Sequence, residues 1–425
     1  MRYLSTRNKL DFFSLSQAMQ SGLAPDGGLF IPETIPIITN QLDLADLNFT
    51  EFSSQLLDGF FVNDLLKLEL NNICKKVFNF PIPTLKINRN TFVLELFHGP
   101  TCSFKDFGAR FLAECLNLIE DDKKIILVAT SGDTGSAVAS AFYQKKNYQV
   151  IILYPQGQIS AKQEQQITCW DENIFSFAIH GTFDQCQQLV KLAFQDLNCQ
   201  AITKLGSANS INIGRLLPQM TYYAYSSLQF YLKNKQEPGF IIPSGNLGNA
   251  TAAYWAKAMG FPIRRIVLAT NANRVISDYL TNGHYNPKQS ITTIANAMDV
   301  GNPSNFERLK HLFISFKDFY NHVTAIAVDD SLIYNTIAHI YKQYNYICCP
   351  HTATAFYVRN HLDNGPWIIA STADPAKFDN IIEPIISSPI AVVPQLLNLL
   401  DKPNKIFKLE PNLQALQKVL SSISS

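Results

Sequence analysis

The chain has 425 residues, of which 47% are hydrophobic and 16% charged, and its formal net charge is +1. That length exceeds a single ordinary core and points to two or more domains, while the apolar share excludes a disordered chain. The near-neutral balance gives no basic face for a nucleic-acid partner and no patch for an anionic membrane.

Residues 1 to about 80 read as an N-terminal unit. Ala24-Pro25-Asp26-Gly27-Gly28 is a turn cluster, Leu29 to Pro32 a short apolar stretch, and Phe49 to Leu70 a helix by its apolar spacing. After residue 90 the pattern alternates strand and helix. Ile125–Ala129 and Val150–Tyr154 read as strands buried on both faces, with a helix over Ala137–Tyr143 between them. Helical spacing returns from Phe183 to Leu197. Phe240–Ile242, Ile266–Ala269, Ala325–Val328 and Trp367–Ala370 are further short strands, with a helix starting near Ala250. This alternation predicts an α/β fold with mostly parallel sheets, in two domains separated by a cleft. No apolar run approaches a membrane span, and Met1 to Arg7 lacks the apolar core of a signal peptide. The eight cysteines show no C-x-x-C spacing, so no metal site is expected and a cytoplasmic location is.

Four clusters carry chemistry. In Phe97-His98-Gly99-Pro100-Thr101-Cys102-Ser103-Phe104-Lys105-Asp106-Phe107-Gly108, one lysine sits among aromatic and small residues. Burial disfavours its charged form, which suits an amine that attacks a carbonyl; the alternative is a lysine whose stem covers apolar surface. Pro243-Ser244-Gly245-Asn246-Leu247-Gly248-Asn249-Ala250 precedes a helix, so its amides and the helix dipole suit a phosphate. It matches neither a Walker A loop nor a dinucleotide fingerprint. Thr130-Ser131-Gly132-Asp133-Thr134-Gly135-Ser136 has the same context with hydroxyls added, and reads as an anion cradle, a helix cap, or both. Ser207-Ala208-Asn209-Ser210-Ile211-Asn212-Ile213-Gly214-Arg215 crowds polar groups before an arginine that is either an anion ligand or a surface residue. Thr372 follows the last strand, where open α/β sheets bind ligands. A reactive lysine, a phosphate cradle and a hydroxyl placed for a ring nitrogen together suit pyridoxal 5'-phosphate.

On these motifs the chain resembles the threonine synthases, which belong to the fold-type II pyridoxal-phosphate enzymes. His98-Gly99-Pro100-Thr101…Phe104-Lys105-Asp106-Phe107, the three polar loops, Asn296-Ala297-Met298-Asp299 and Pro375-Ala376-Lys377-Phe378 carry the resemblance almost end to end. It implies a tryptophan synthase β-like architecture of two open sheet domains plus the N-terminal unit. The N-terminal unit is expected over 1–80, a smaller mobile domain over 106–225, and a large cofactor domain over 81–105 and 226–425. It also implies that Lys105 is catalytic and holds the cofactor, that Ser244, Gly245, Asn246, Leu247, Gly248 and Asn249 bind its phosphate, and that Thr372 meets its ring nitrogen. Ser103, Thr130, Ser131, Asp133, Thr134, Ser207, Asn209, Arg215 and Asn296 are the implied substrate ligands. The implied activity is that of a carbon–oxygen lyase acting on phosphates, converting O-phospho-L-homoserine and water to L-threonine and phosphate. The rival readings are another enzyme of the same fold type, such as a serine or threonine dehydratase, and a catalytically inactive homologue. The sequence does not choose between a monomer and a homodimer. Three positions depart from the family's habit: Asp374 stands where it usually has histidine, Cys349 where it has an acidic residue, and Cys102 where a small or apolar residue is more common.

Overall fold

A computed structural model of the chain describes residues 1–38, 40–119 and 122–424. Its strands are β1 (Tyr3–Ser5), β2 (Phe30–Pro32), β3 (Thr84–Lys86), β4 (Thr91–Glu95), β5 (Lys124–Ala129), β6 (Tyr148–Pro155), β7 (Ile174–Ile179), β8 (Leu205–Gly206), β9 (Gly239–Pro243), β10 (Ile266–Thr270), β11 (Thr324–Ala327), β12 (Trp367–Ser371) and β13 (Phe407–Leu409). They form three sheets: β1-β2, a six-stranded sheet in the order β11-β10-β9-β12-β4-β3, and a five-stranded sheet in the order β13-β7-β6-β5-β8. All neighbours in the five-stranded sheet are parallel, and in the six-stranded sheet only β3 runs antiparallel, against β4. The continuous apolar runs β5, β9, β10 and β12 are buried throughout, as expected of parallel strands covered by helices on both faces. The fold is the α/β arrangement that the alternation predicts. Among the described residues no helix is long and apolar enough to cross a membrane.

The N-terminal unit shares its core with the rest of the chain: Phe52, Phe60 and Phe61 lie in one apolar cluster with Phe107, Phe111, Tyr222 and Phe240. The single helix expected from Phe49 to Leu70 is broken. The helix Phe49–Asp58 ends in a 3-10 turn, and a second helix runs over Leu70–Val77. Two local features mark the break. Asn63 takes a left-handed φ of 59°, and the Asp64 carboxylate is drawn off to accept bonds from the Ser16 amide and hydroxyl at 2.8 and 2.7 Å.

The expected limit at position 225 falls inside the helix Ile213–Asn234. Residues 407–424 do not join the six-stranded sheet. β13 pairs with β7, and Leu409, Leu416 and Leu420 pack with Cys186, Leu189 and Cys199. The return covers an edge that β7 would otherwise leave unpaired.

Candidate active site

The Lys105 loop is pinned to the end of β12. The Phe104 amide donates to the Thr372 carbonyl at 2.9 Å, Ser103 bridges Ala373, and the Asp374 amide donates to the Cys102 carbonyl at 3.1 Å. Asp106 tightens the turn by accepting from the Thr101 amide at 2.9 Å and the Thr101 hydroxyl at 2.7 Å. Lys105 then opens the helix Lys105–Ile119, which Phe107 anchors against Phe80 and Tyr222 at 4.8 and 5.0 Å between rings. The Lys105 side chain is only 13% exposed, and its Nζ lies 3.6 Å from Asp133 Oδ2. Burial pulls its pKa down; Asp133 opposes this, and Lys377 and Arg215 add to it.

From the end of β9 the loop Ser244–Leu247 leads into the helix Gly248–Ala258, two residues before the expected start. Leu247 is left-handed at φ 61° and caps the helix with no side-chain bond, so the first-turn amides face the cleft without a capping side chain. A Cβ at Gly245 would stand 2.8 Å from the Met298 Cα, so this close approach of two backbones admits only glycine. Asn249 Oδ1 accepts from the Tyr222 and Tyr223 hydroxyls at 2.7 and 2.6 Å, which fixes the amide. Its Nδ2 and the Ser244 hydroxyl are buried without a partner.

At the end of β5, Gly132 takes a φ of 126° and Asp133 opens the helix Asp133–Phe142. The Thr130 hydroxyl accepts from the Gly132 and Gly135 amides at 3.0 and 2.8 Å, so it serves the turn itself. Asp133 is buried and holds three partners: Lys377 Nζ at 2.8 Å, Gln163 Nε2 at 2.9 Å and, further off, Lys105. Burial pushes the Asp133 carboxyl up, but the Lys377 and Lys105 ammoniums outweigh it and hold it far below the usual carboxylate range.

Arg215 closes another side. It is buried and donates through Nη1 to the Ala208 carbonyl, and among the described residues it has no ion-pair partner; its Nε is unpartnered. Burial pulls its pKa down to about 10, with Asp106 opposing, so it remains a cation at neutral pH. A buried cation without a carboxylate suits an anionic ligand.

One cleft of about 850 Å³, its open mouth included, gathers Lys105, Thr130, Ser131, Asp133, Thr134, Asn209, Arg215, the whole of Ser244 to Asn249 and Thr372. Three further expected substrate residues are not among those that line it. Ser103 lies in the backbone bridge to Ala373, the Ser207 hydroxyl braces the Asn209 amide at 3.3 Å, and Asn296 gives its amide to Gln163 Oε1 at 3.1 Å, while Ser103 Oγ and Asn296 Oδ1 are buried without a partner. Sequence reasoning missed His351, Phe183 and Gln219, which line the cleft, and gave no role to Gln163 or Lys377. His351 Nε2 accepts the Ala297 amide at 3.1 Å, so the neutral ring carries its proton on Nδ1, which is buried and unpartnered. Burial pulls its pKa to about 4, against Asp133. Only the Pro350-His351 step could have signalled it, and a lone histidine has no period.

The departing residues have local work. Asp374 accepts the Ala376 amide at 2.8 Å and caps the turn Pro375–Phe378, and burial pushes its carboxyl up. Cys349 Sγ meets the Thr352 hydroxyl at 3.2 Å, which meets Ser371 Oγ at 3.1 Å, beside Thr372.

The donor set fits pyridoxal 5'-phosphate: an amine, an uncapped helix start with unpartnered hydroxyl and amide donors, and a hydroxyl residue at the strand end opposite. Comparison with known proteins agrees. Residues 79–367 match the family described as pyridoxal-phosphate dependent enzyme, and residues 2–78 match threonine synthase N terminus. A threonine synthase of Haemophilus influenzae is 41% identical over 396 residues, 92% of each chain. The crystal structure of threonine synthase from Escherichia coli superposes with a TM-score of 0.94 at 36% identity, covering 99% of this chain and 100% of that one. The structure titled PLP-bound threonine synthase from Brucella melitensis gives 0.91 at 28% identity, covering 100% and 99%.

Proposed function

The chain belongs to the threonine synthases, within the pyridoxal-phosphate-dependent enzymes, and on that premise we propose how its residues divide the reaction. The enzyme is a lyase that turns O-phospho-L-homoserine and water into L-threonine and phosphate, and its cofactor is pyridoxal 5'-phosphate. When bound, that cofactor supplies an electron sink for negative charge on the carbons beside the substrate nitrogen.

Lys105 would hold the cofactor through its amine, and the same Nζ would serve as the base for the proton on the substrate Cα. The observation that carries this reading is that a buried amine and the uncapped start of the helix Gly248–Ala258 open into one cleft. Ser244 to Asn249 hold the cofactor phosphate through first-turn amides, the Ser244 hydroxyl and Asn249 Nδ2. Thr372, which lines the cleft, would offer the ring nitrogen a hydroxyl, which cannot supply a full positive charge. Arg215 and Asn209 bind the substrate's leaving phosphate. Ser131, Thr134 and the amides of their turn take the substrate carboxylate, and the Thr130 hydroxyl keeps that turn closed. The eight cysteines are all buried and free, which supports work in a reducing cytoplasm.

The test has two parts. Purified protein given O-phospho-L-homoserine should release phosphate and L-threonine in equal amounts. Borohydride reduction of the holoenzyme followed by peptide mapping should place the label on Lys105. A label on any other lysine would remove Lys105 from this role.

A further inference from the structure

Lys377 is buried completely, with its side chain 0% exposed, and lies on the turn Pro375–Phe378 that Asp374 caps. Its Nζ makes two bonds, to the Thr101 carbonyl at 2.9 Å and to Asp133 Oδ1 at 2.8 Å. Thr101 belongs to the loop that carries Lys105, and Asp133 to the turn after β5. The other oxygen of Asp133 is 3.6 Å from Lys105 Nζ. One carboxylate therefore lies between two lysines, and the closer of them is not the one that lines the cleft.

That arrangement answers a chemical difficulty. An amine accepts a proton only when neutral, and a carboxylate nearby favours the ammonium instead. A bare Asp133 beside Lys105 would work against it, and would also repel an anionic substrate. We propose that Lys377 is a positioning residue of this centre: a buried ammonium that ties the Lys105 loop to the Asp133 turn and takes up the Asp133 charge, leaving the Lys105 amine free to act as a base. The inference rests on the base role given to Lys105 above. The ionisable groups that act on Lys377 are Lys105, Asp133, His351, Cys102, Asp106 and Asp374, and Arg215 and His351 also act on Lys105. Of these, only Asp133 bonds to Lys377 through its side chain. Gln163 Nε2 shares the same oxygen at 2.9 Å but carries no charge to replace it.

The test titrates Lys105 directly. The full-length chain, stripped of cofactor, is labelled with acetic anhydride across a pH series, and acetylation of Lys105 is read by mass spectrometry. The acid limb of the holoenzyme's pH–rate profile is measured alongside. In Lys377→Met the Asp133 charge falls on Lys105 alone, so both readouts should move to higher pH by about one unit, a roughly tenfold slower labelling on the acid side. In Asp133→Asn the amine loses its attracting carboxylate and faces Lys377 unscreened, so labelling should move to lower pH. The double variant should titrate near the parent. A purely structural ion pair would instead lower the melting temperature, and turnover at every pH alike, without displacing the titration. An unmoved or reversed Lys105 titration in folded Lys377→Met overturns the proposal; should that variant not fold, the double variant decides it, because Lys105 must titrate at higher pH there than in Asp133→Asn, and equal titration in the two overturns the proposal. A labelling shift with an unmoved rate limb would leave the charge coupling standing and sink the base role of Lys105.

Discussion

Arg308 and Arg215 are both buried, and among the described residues neither has a carboxylate partner, yet their surroundings differ in one respect. Arg308 donates to the Phe30, Ser210 and Ile211 carbonyls at 2.9, 3.2 and 2.6 Å and to Asn305 Oδ1 at 2.7 Å. It stitches the N-terminal unit to the loop before Arg215 and to the segment over the phosphate cradle. Arg215 leaves Nε without a partner, in a cleft where Ser244 Oγ, Asn249 Nδ2 and His351 Nδ1 are unpartnered too. Buried polar groups ordinarily find partners, so the saturated arginine marks a joint and the unsaturated one marks a place for a ligand.

The contrast can be broken or sharpened by substitution. The largest effect is expected at the cleft's amine: Lys105→Ala should lose the absorbance of the bound cofactor and several orders of magnitude in turnover, with a parental unfolding midpoint. Next comes the joint. Arg308→Met should remove four hydrogen bonds, with the Ser210 carbonyl keeping the Asn305 Nδ2 donor, and cost about 3 kcal/mol, read as a lower denaturant midpoint. A stable Arg308→Met protein would erase the distinction. Arg215→Ala should do the reverse. KM for the phosphorylated substrate should rise roughly tenfold to a hundredfold, from the loss of a charge-assisted bond of about 1.5–3 kcal/mol. The cofactor spectrum should not change, and the unfolding midpoint should hold or rise because an unpaired buried charge is gone. Arg215→Lys should recover part of the loss, since an ammonium lacks the planar fork. The smallest effects separate two glycines of the cradle. Gly245→Ala meets the Met298 backbone at 2.8 Å and should weaken cofactor affinity about tenfold. Gly248→Ala meets the Asn305 side-chain amide at 3.3 Å, a looser approach than the backbone contact at Gly245, and should stay within about threefold, measured by cofactor titration.

Much of the fold was legible because parallel strands buried on both faces leave continuous apolar runs, as β5, β6, β9 and β12 do. β13 was not, since its pattern is Phe-Lys-Leu with two exposed positions and its identity comes from pairing with β7. The break after Asp58 was hidden for a similar reason: apolar spacing continues through it, and the interruption depends on Asp64 reaching Ser16.

At the cleft, the sequence by itself determined the amine, the glycine cradle and the hydroxyl turn. Each is written within a few consecutive residues, and a tight turn or an uncapped helix start needs glycine, serine and threonine at adjacent places. Tertiary structure decided which of those groups face a ligand. It set the Ser207 hydroxyl against Asn209 and the Asn296 amide against Gln163, committed the Thr130 hydroxyl to its own turn, and left Arg215, among the described residues, without a counter-ion. It also brought Lys377 against Asp133, more than two hundred residues earlier in the chain, and His351 into the cleft wall. The reason is the range of the forces. Turn and helix-end chemistry is settled by near neighbours in sequence, whereas the charge state of a buried group depends on every ion packed around it, wherever the chain has brought that ion from.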